Sequence, residues 1–346
     1  LYHTFHWVRE NGVDAMSYVY ITEEGARIQK KGGRFLVGRN LEILFEIPEE
    51  TLEGLVLIDS VQVSSQAMVE FLQRGIPVTW ISATGKFFGR LESTSHINVF
   101  KQQKQILMQV SPFSLEIGKH IVLAKVHNQI TILRQYKRRS DSTVVEIAVH
   151  QMDLLRKVIF KATNRDELMG YEGAIARIYF GALRELVPDN FSFTGRSRQP
   201  PLDAFNTMLS FGYTLVMYEI YTAITNVGLH PYFGFLHALK NHHPALASDL
   251  MEEWRPVLID SLVLSLVNHH EIKPEHFQRS DGSRGVFLTR DGRNIFLKAY
   301  EKKMRTMNQY IEGKQTFRKS LETQVSKYSQ SLMAENAELY HSIWIR

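Results

Sequence analysis

The sequence predicts a two-domain protein: a small N-terminal β-rich (α/β) domain, then a larger, mostly α-helical C-terminal domain with an inserted β-hairpin. Three observations carry this reading. The 346 residues suffice for two ordinary cores. From Ser17 to about Ser93 apolar residues recur at a period close to two, with glycine at the turns. After Glu92 the spacing becomes three and four, the period of helices. The expected boundaries are 1–15 for an upstream extension before Met16, 16–94 for the β-rich domain and 95–346 for the helical domain.

Taken in order, "YVYIT", "ARIQ" and "RFLV" read as short strands between the turns "EEG" and "KKGG", and "EILFEIP" and "LEGLVLID" continue them. "SSQAMVEFLQRG" predicts a helix: the serine pair can cap it, Ala67, Met68, Phe71 and Leu72 form an apolar face, and Gly75 closes it. "IPVTWIS" is again a strand, and "ATGKFFGRL" a hairpin piece around Gly85. Helices are expected over Lys101–Arg138, 141–162 and 163–186, then over "LDAFNTMLSFGYTLVMYEIYTAITNVG", which follows Pro200 and Pro201 and ends at Gly228. "YFGFLHALK" suggests a short helix after Pro231. "ALASDLMEEWRPVLIDSLVLSL" suggests a longer one, interrupted at Arg255 and Pro256. "RGVFLTRDGRNIFLKAY" predicts the hairpin, turning at Asp291–Gly292, before a basic helix. The tail after Ser320 reads as helix with an aromatic end, docked on its own domain or on a partner.

Hydrophobic residues make up 44% of the chain, so it can bury real cores. There are no cysteines, which excludes thiolate chemistry, disulfides and cysteine-ligated zinc or iron–sulfur sites. The net charge of +5 permits nucleic-acid binding without demanding it. No stretch approaches 18 apolar residues, and the apolar run Val257–Val267 contains Asp260, so no membrane association is expected. The first residues lack the pattern of a secretory signal.

Glu172 lies in "LMGYEGAIARIYFGAL", where Gly170, Gly173, Ala174, Ala176 and Gly181 would admit another element closely. A carboxylate in such a setting is costly to bury alone. It is either a chemical group or half of an ion pair, with Arg177 the nearest candidate. His237, after Phe235 and Leu236, is a hydrogen-bonded core residue or a ligand. Asp249 and Glu252 share one helix face, and Asp260 returns near it; Ser248 or Asp249 can instead cap the helix start. One Glu, one His and one or two further carboxylates from different segments can surround a hard divalent ion, Mg²⁺ or Mn²⁺. Such an ion leaves positions for water and phosphate oxygens. The spacing is not HExxH, and no phosphate-loop or dinucleotide glycine pattern occurs. His230, His242, His243, His269, His270 and His276 read as solvent- or DNA-facing, with zinc as the lesser alternative. "DNFSFTGRSRQPP" lacks a nucleophile elbow around Ser192, Thr194 and Ser197. Its Arg196 and Arg198 make it a solvated loop or one that grips phosphate.

At this point the chain resembles a known family. "YEGAIARIYF", "PLDAFNTMLSFGYTLV", "GLHPYFGFLH", "SDLMEEWRP" and "GVFLTRDGRNIFLKAYEKKM" are similar to the CRISPR-associated adaptation endonuclease/integrase family, the metal-dependent spacer-integration subunit. "YITEEGARIQKKGGRFLV" and "VQVSSQAMVEFLQRGIPVTWISATGKFFGRL" agree, so the resemblance covers nearly all of residues 17–320. It implies an N-terminal dimerisation domain and a C-terminal catalytic and DNA-binding domain. It implies a homodimer, two of which clamp a dimer of a small ferredoxin-like partner in a heterohexamer. It implies that a 3′-OH of double-stranded prespacer DNA attacks a phosphodiester at the border of the CRISPR repeat DNA, in the prokaryotic cytoplasm. The ligands to Mg²⁺ or Mn²⁺ would be Glu172, His237 and Glu252, with Asp249 supporting them. Residue 252 is Asp in some relatives; Glu keeps the charge and lengthens the arm. Arg196, Arg198, Lys240 and Arg255 would hold DNA near the scissile bond. Lys302, Lys303 and Arg305, with Lys314, Arg318 and Lys319, would hold backbone farther away or form a solvated face. A metal-dependent nuclease or branched-DNA resolvase, and a non-catalytic DNA-binding assembly subunit, are the alternatives.

Overall fold

A computed structural model describes residues 17–137, 142–279, 282 and 284–346, so the extension expected over 1–15 lies outside the described residues. The chain divides into two compact units between Ser95 and His96. The N-terminal unit holds β1 (Ser17–Ile21), β2 (Arg27–Lys31), β3 (Arg34–Arg39), β4 (Glu42–Pro48), β5 (Leu52–Ile58), β6 (Gln62–Val63), α1 (Ser65–Gln73), β7 (Val78–Ile81) and β8 (Phe87–Leu91). They form two four-stranded sheets, ordered β1-β5-β7-β8 and β4-β3-β2-β6. β5 and β7 run parallel, which requires a crossover, and α1 supplies it. α1 starts where the sequence says it should: the Ser64 hydroxyl accepts the Ala67 N–H, and Gly75 takes a φ of +66° beyond its end. The core joins both sheets to α1. Phe35 and Phe71 are fully buried with ring centroids 4.4 Å apart, each burial contributing roughly 1.5–3 kcal/mol.

The C-terminal unit contains α2 (Val99–Met108), α3 (Pro112–Lys137), α4 (Thr143–Val158), α5 (Arg165–Arg184), α6 (Ala204–Asn226), α7 (Ala245–Met251), α8 (Ser261–Asn268), β9 (Phe277–Arg279), β10 (Val286–Leu288), α9 (Arg290–Met304) and α10 (Phe317–Ala334). α3 packs against α4, α5 and α7 and is buried along much of its length. Several expectations need correction here. The helix predicted over Lys101–Arg138 is two helices. The chain breaks between Met108 and Pro112, because proline lacks the N–H a helix interior needs and suits a first turn instead. "YFGFLHALK" is not helical; residues 230–244 form a loop.

The predicted strand pair around Asp291–Gly292 does not form: its first run is β10, which pairs with the upstream β9, and its second run, "NIFLKAY", lies in α9. The Thr289 hydroxyl accepts the Gly292 N–H and starts α9 there, so the Asp-Gly pair belongs to a helix. Asp249 is not a helix-start cap either: Pro244 holds that position, without a side-chain cap bond. Among the described residues, nothing lies within 4 Å of where a Cβ would stand at Gly170, Gly173 or Gly181 on α5, so none of them packs closely against another described element of this chain.

The rod that begins with α7 continues through a π-helical turn, Arg255–Asp260, into α8. Pro256 cannot donate a hydrogen bond to the carbonyl of Glu252, so the regular ladder fails at that point. The tail docks on its own unit. Tyr340 and the Ile343 N–H bind the carboxylate of buried Glu253 at 2.6 and 2.8 Å, and the Ile345 N–H binds Asn128 Oδ1 at 3.0 Å.

Candidate active site

Four segments of the C-terminal unit deliver charged side chains to one place. α5 is capped by Asn164, which accepts the Glu167 N–H, and carries Asp166 and Glu167 in its first turn, where the helix dipole favours them. Two turns along, it presents Glu172. α3 presents Lys125, which is 6% exposed. Its ammonium forms an ion pair with Glu172 Oε1 and lies 2.5 Å from Oε2 of Glu252. Burial works against the Lys125 charge, but Glu252 and Glu172 outweigh it and hold its pKa above the ordinary value.

Glu252 is 2% exposed, at the end of α7. Its other oxygen lies 3.3 Å from Arg255 Nη2 and 3.7 Å from His237 Nε2. Burial would raise its pKa, yet Arg255, Lys125 and His237 together carry it well below the usual carboxylate range.

His237 stands on the irregular loop, which is held from two sides. On one side, the carboxylate of buried Asp249 accepts the backbone N–H groups of Phe235, Leu236 and His237 at 2.6, 2.9 and 2.9 Å. It also lies 2.7 Å from His237 Nδ1. A carboxylate only accepts, so Nδ1 carries the hydrogen and Nε2 faces Glu252. Burial alone would lower the pKa of His237, but the bond to Asp249 and the charge of Glu252 raise it overall. On the other side, the side chain of fully buried Gln105 on α2 donates to the carbonyls of His230 and Phe233 at 2.8 and 2.7 Å. It accepts the His230 N–H at 2.9 Å, and Gln109 donates to the Gly234 carbonyl at 2.9 Å. Gly234 is required by close approach: a Cβ there would stand 2.5 Å from Asp249 Oδ2 and 2.7 Å from the Ala245 carbonyl carbon.

Beside Glu252, the guanidinium carbons of Arg255 and Arg196 lie 4.9 and 5.5 Å from the ring centre of Tyr213. Arg196 also donates to Asn206 Oδ1 and Ser210 Oγ at 2.9 and 3.0 Å. The Tyr213 and Tyr179 hydroxyls both donate to buried Asp260, at 2.5 and 2.8 Å. Burial pushes the Asp260 carboxyl up to about 6. A cavity of about 690 Å³ opens between the starts of α3 and α5 and the loop residues Gly234, Phe235 and Leu239; Glu172, His237 and Glu252 do not line it.

Residues 19–302 match the family model described as CRISPR associated protein Cas1. The chain belongs to the Cas1 family. It is 35% identical over 310 residues to a CRISPR-associated endonuclease Cas1 of Rhodospirillum rubrum, covering 86% of this chain and 89% of that one. It is 32% identical to a CRISPR-associated endonuclease Cas1 of Mycobacterium tuberculosis, covering 90% and 92%. Among solved structures, a CAS1 protein from Thermotoga maritima superposes with a TM-score of 0.79 at 25% identity, over 92% of this chain and 97% of that one. A Cas6-RT-Cas1–Cas2 complex matches with a TM-score of 0.84 at 23% identity; this chain, 98% covered, spans 37% of that chain. A casposase bound to integration product shares the fold, with a TM-score of 0.81 at 20% identity, over 96% of each chain.

The two carboxylates and the imidazole raise the question of a divalent ion. Their donor chemistry suits Mg²⁺ or Mn²⁺. Glu252 Oε2 is buried without a directed hydrogen bond, although the Lys125 ammonium is near. Among the described residues, no three His, Asp or Glu side chains are gathered closely enough to hold an ion together. The residues therefore fit the ion on condition that the Lys125 ammonium leaves the place where Glu172 and Glu252 meet.

The remaining sequence candidates fall into two groups. Arg198, Lys240 and Lys302 are exposed. Arg305 is paired with Glu301 at 2.7 Å, and the Lys303 ammonium lies 5.2 Å from the Phe317 ring centre, where burial brings its pKa down to about 8. Arg318 is not part of a solvated or DNA-holding face: it is buried, at 2.9 Å from Glu219 and 2.8 Å from Glu301. The ion-pair partner of Glu172 is Lys125 and not Arg177. Sequence reasoning missed Lys125, Gln105 and Gly234. The signal for Lys125 was a lysine inside the apolar run "IVLAKV", which needs a counter-charge as much as Glu172 does.

Proposed function

We propose that this chain is the metal-dependent DNA integrase of CRISPR adaptation, joining a prespacer 3′-OH to a phosphodiester at the repeat border by transesterification. The observation that carries this reading is the contact series from Glu172 through Lys125 to Glu252, whose other oxygen faces His237 Nε2 at 3.7 Å. The relatives named as endonucleases, the Cas1–Cas2 complex and the casposase caught with its integration product support it.

Glu172, His237 Nε2 and Glu252 would hold the ion. When bound, Mg²⁺ or Mn²⁺ lowers the pKa of an attacking hydroxyl and offsets charge on the phosphoryl group in transfer. Asp249 keeps the hydrogen on Nδ1 of His237, leaving Nε2 free to ligate. Arg255 and Arg196, stacked on Tyr213, hold DNA phosphates beside the ligands. Exposed Arg198, Lys240 and Lys302 extend the backbone contacts. Lys303 does so only after giving up its packing on Phe317, and Arg305 only after giving up its pair with Glu301. Double-stranded prespacer and repeat DNA are the substrates. A homodimer formed through the N-terminal unit, and a small ferredoxin-like partner in a heterohexamer, are the assembly in the prokaryotic cytoplasm. Among the described residues no helix is long and apolar enough to cross a membrane.

The test is strand transfer of a labelled prespacer into a supercoiled repeat-bearing plasmid, with the partner and Mg²⁺ or Mn²⁺. Wild type should give a covalently joined product, and Glu172→Ala at least 100-fold less, with DNA binding retained. Cleavage of branched DNA without joining would favour the nuclease reading, which the relatives' endonuclease names keep in view.

A further inference from the structure

Lys125 has no place in the ligand set, yet it sits between the two carboxylates of that set. Its side chain is 8% exposed, and its ammonium touches both Glu172, on α5, and Glu252, at the end of α7. Arg255 lies against the other oxygen of Glu252. Two carboxylates are thus already balanced by two fixed cations. A divalent ion added between the carboxylates would stand in contact with the ammonium and leave the cluster with a net charge of about +2, which a poorly hydrated site disfavours. Two changes relieve this. The ammonium can swing away on its four-carbon stem, and anionic phosphate can arrive to balance the ion.

We propose that Lys125 is a resident counter-ion that a divalent metal must displace, so that the site loads metal together with nucleic-acid phosphate and resists loading it alone. This rests on the reading of Glu172 and Glu252 as metal ligands. Without DNA, Lys125 keeps the two carboxylates gathered at the ligand positions and competes with the ion for them. With DNA, phosphate oxygens complete the charge balance, and the displaced ammonium gains a phosphate to pair with. Lys125 is a positioning residue: it acts on the ligands and not on the reacting atoms.

Free Mn²⁺ can be followed by its electron paramagnetic resonance signal during titration of full-length wild type, Lys125→Met, Lys125→Gln and Glu172→Ala. Each is titrated with and without a short DNA duplex, and circular dichroism checks folding. We expect Lys125→Met to bind Mn²⁺ at least tenfold more tightly than wild type without DNA, the difference narrowing when duplex is present. Lys125→Gln serves if the methionine variant does not fold. A folded variant that binds Mn²⁺ no more tightly than wild type, while Glu172→Ala abolishes binding, overturns the counter-ion role and leaves the metal reading standing. Binding that does not depend on Glu172 overturns the metal reading, and this inference with it. Amine labelling of wild type, read by mass spectrometry, needs no variant. Labelling of Lys125 should rise severalfold at saturating Mn²⁺ without DNA, and unchanged protection there also overturns the proposal.

Discussion

At the scale of the residue, the chemistry turns on which nitrogen of His237 is free. Asp249 binds Nδ1 and three backbone N–H groups, so one carboxylate fixes both the ring and the loop beneath it. The pKa of His237 is raised, so the ring becomes protonated at a higher pH than a free histidine. An imidazolium offers no lone pair. Metal-dependent joining should therefore fall as pH drops through that raised pKa. Asp249→Asn removes the carboxylate that raises it, so the midpoint should move to lower pH. The maximal rate should drop roughly 10–100-fold, as for other lost orienting partners. Joining rate against pH for both proteins checks this, and an unmoved midpoint would count against the assignment.

At the scale of the element, α2 does more than link the two units in sequence. Gln105 satisfies three backbone groups of the loop that carries His237. An irregular segment buried beside a core needs such partners, because each orphaned polar group costs about 1–3 kcal/mol. Gln105→Leu keeps the bulk and removes the bonds. It should lower the melting temperature of the C-terminal unit and slow joining while leaving DNA affinity within about twofold, because Gln105 is fully buried. Calorimetry and a gel-shift titration separate the two effects. The rod from α7 to α8 makes a related point: it places Glu252 just ahead of the π-helical turn, where the ladder is already broken.

At the scale of the whole molecule, the tail and the basic surface behave differently from what charge alone suggests. Glu253, next to Glu252 in sequence, points away from the ligands and accepts from Tyr340, Gln324 and the Ile343 N–H. Burial pushes its carboxyl up to about 8, from 4.5. Between those values the unfolded chain has released a proton that the folded chain keeps, so this group's contribution to stability is lost as pH rises through the window. Glu253→Gln should accordingly melt above wild type at pH 8, with the difference vanishing near pH 5, as thermal melts at the two pH values would reveal.

For the basic residues, Lys302→Ala should flatten the salt dependence of DNA binding by roughly 0.9 in log–log slope if it meets one phosphate. Arg318→Ala should leave that slope unchanged. It removes the shared counter-charge of Glu219 and Glu301, which should cost about 3–5 kcal/mol of stability. Titrations at several salt concentrations and a denaturant melt distinguish a DNA contact from a structural cation.

What the sequence determined by itself was local chemistry: the two grammars of the chain, the serine cap that starts α1 at Ser64, and the residue types able to hold a hard cation. Those follow from periodicity and from neighbours a few positions away. The motif resemblance then assigned Glu172, His237 and Glu252 to one site, although no spacing joins them. Periodicity failed at Asp291–Gly292, where two alternating runs looked like a hairpin and a threonine cap made a helix instead. It also failed at "YFGFLHALK", where the chain's polar groups found Asp249 and Gln105 in place of one another. Only the tertiary structure decided that Lys125, 47 residues before Glu172, is its ion-pair partner. Only it decided that Asp249 serves the loop and not its own helix. Partner choice for a buried charge is settled by whichever counter-charge the packing brings within a few ångströms, and that distance is not written in the order of the residues.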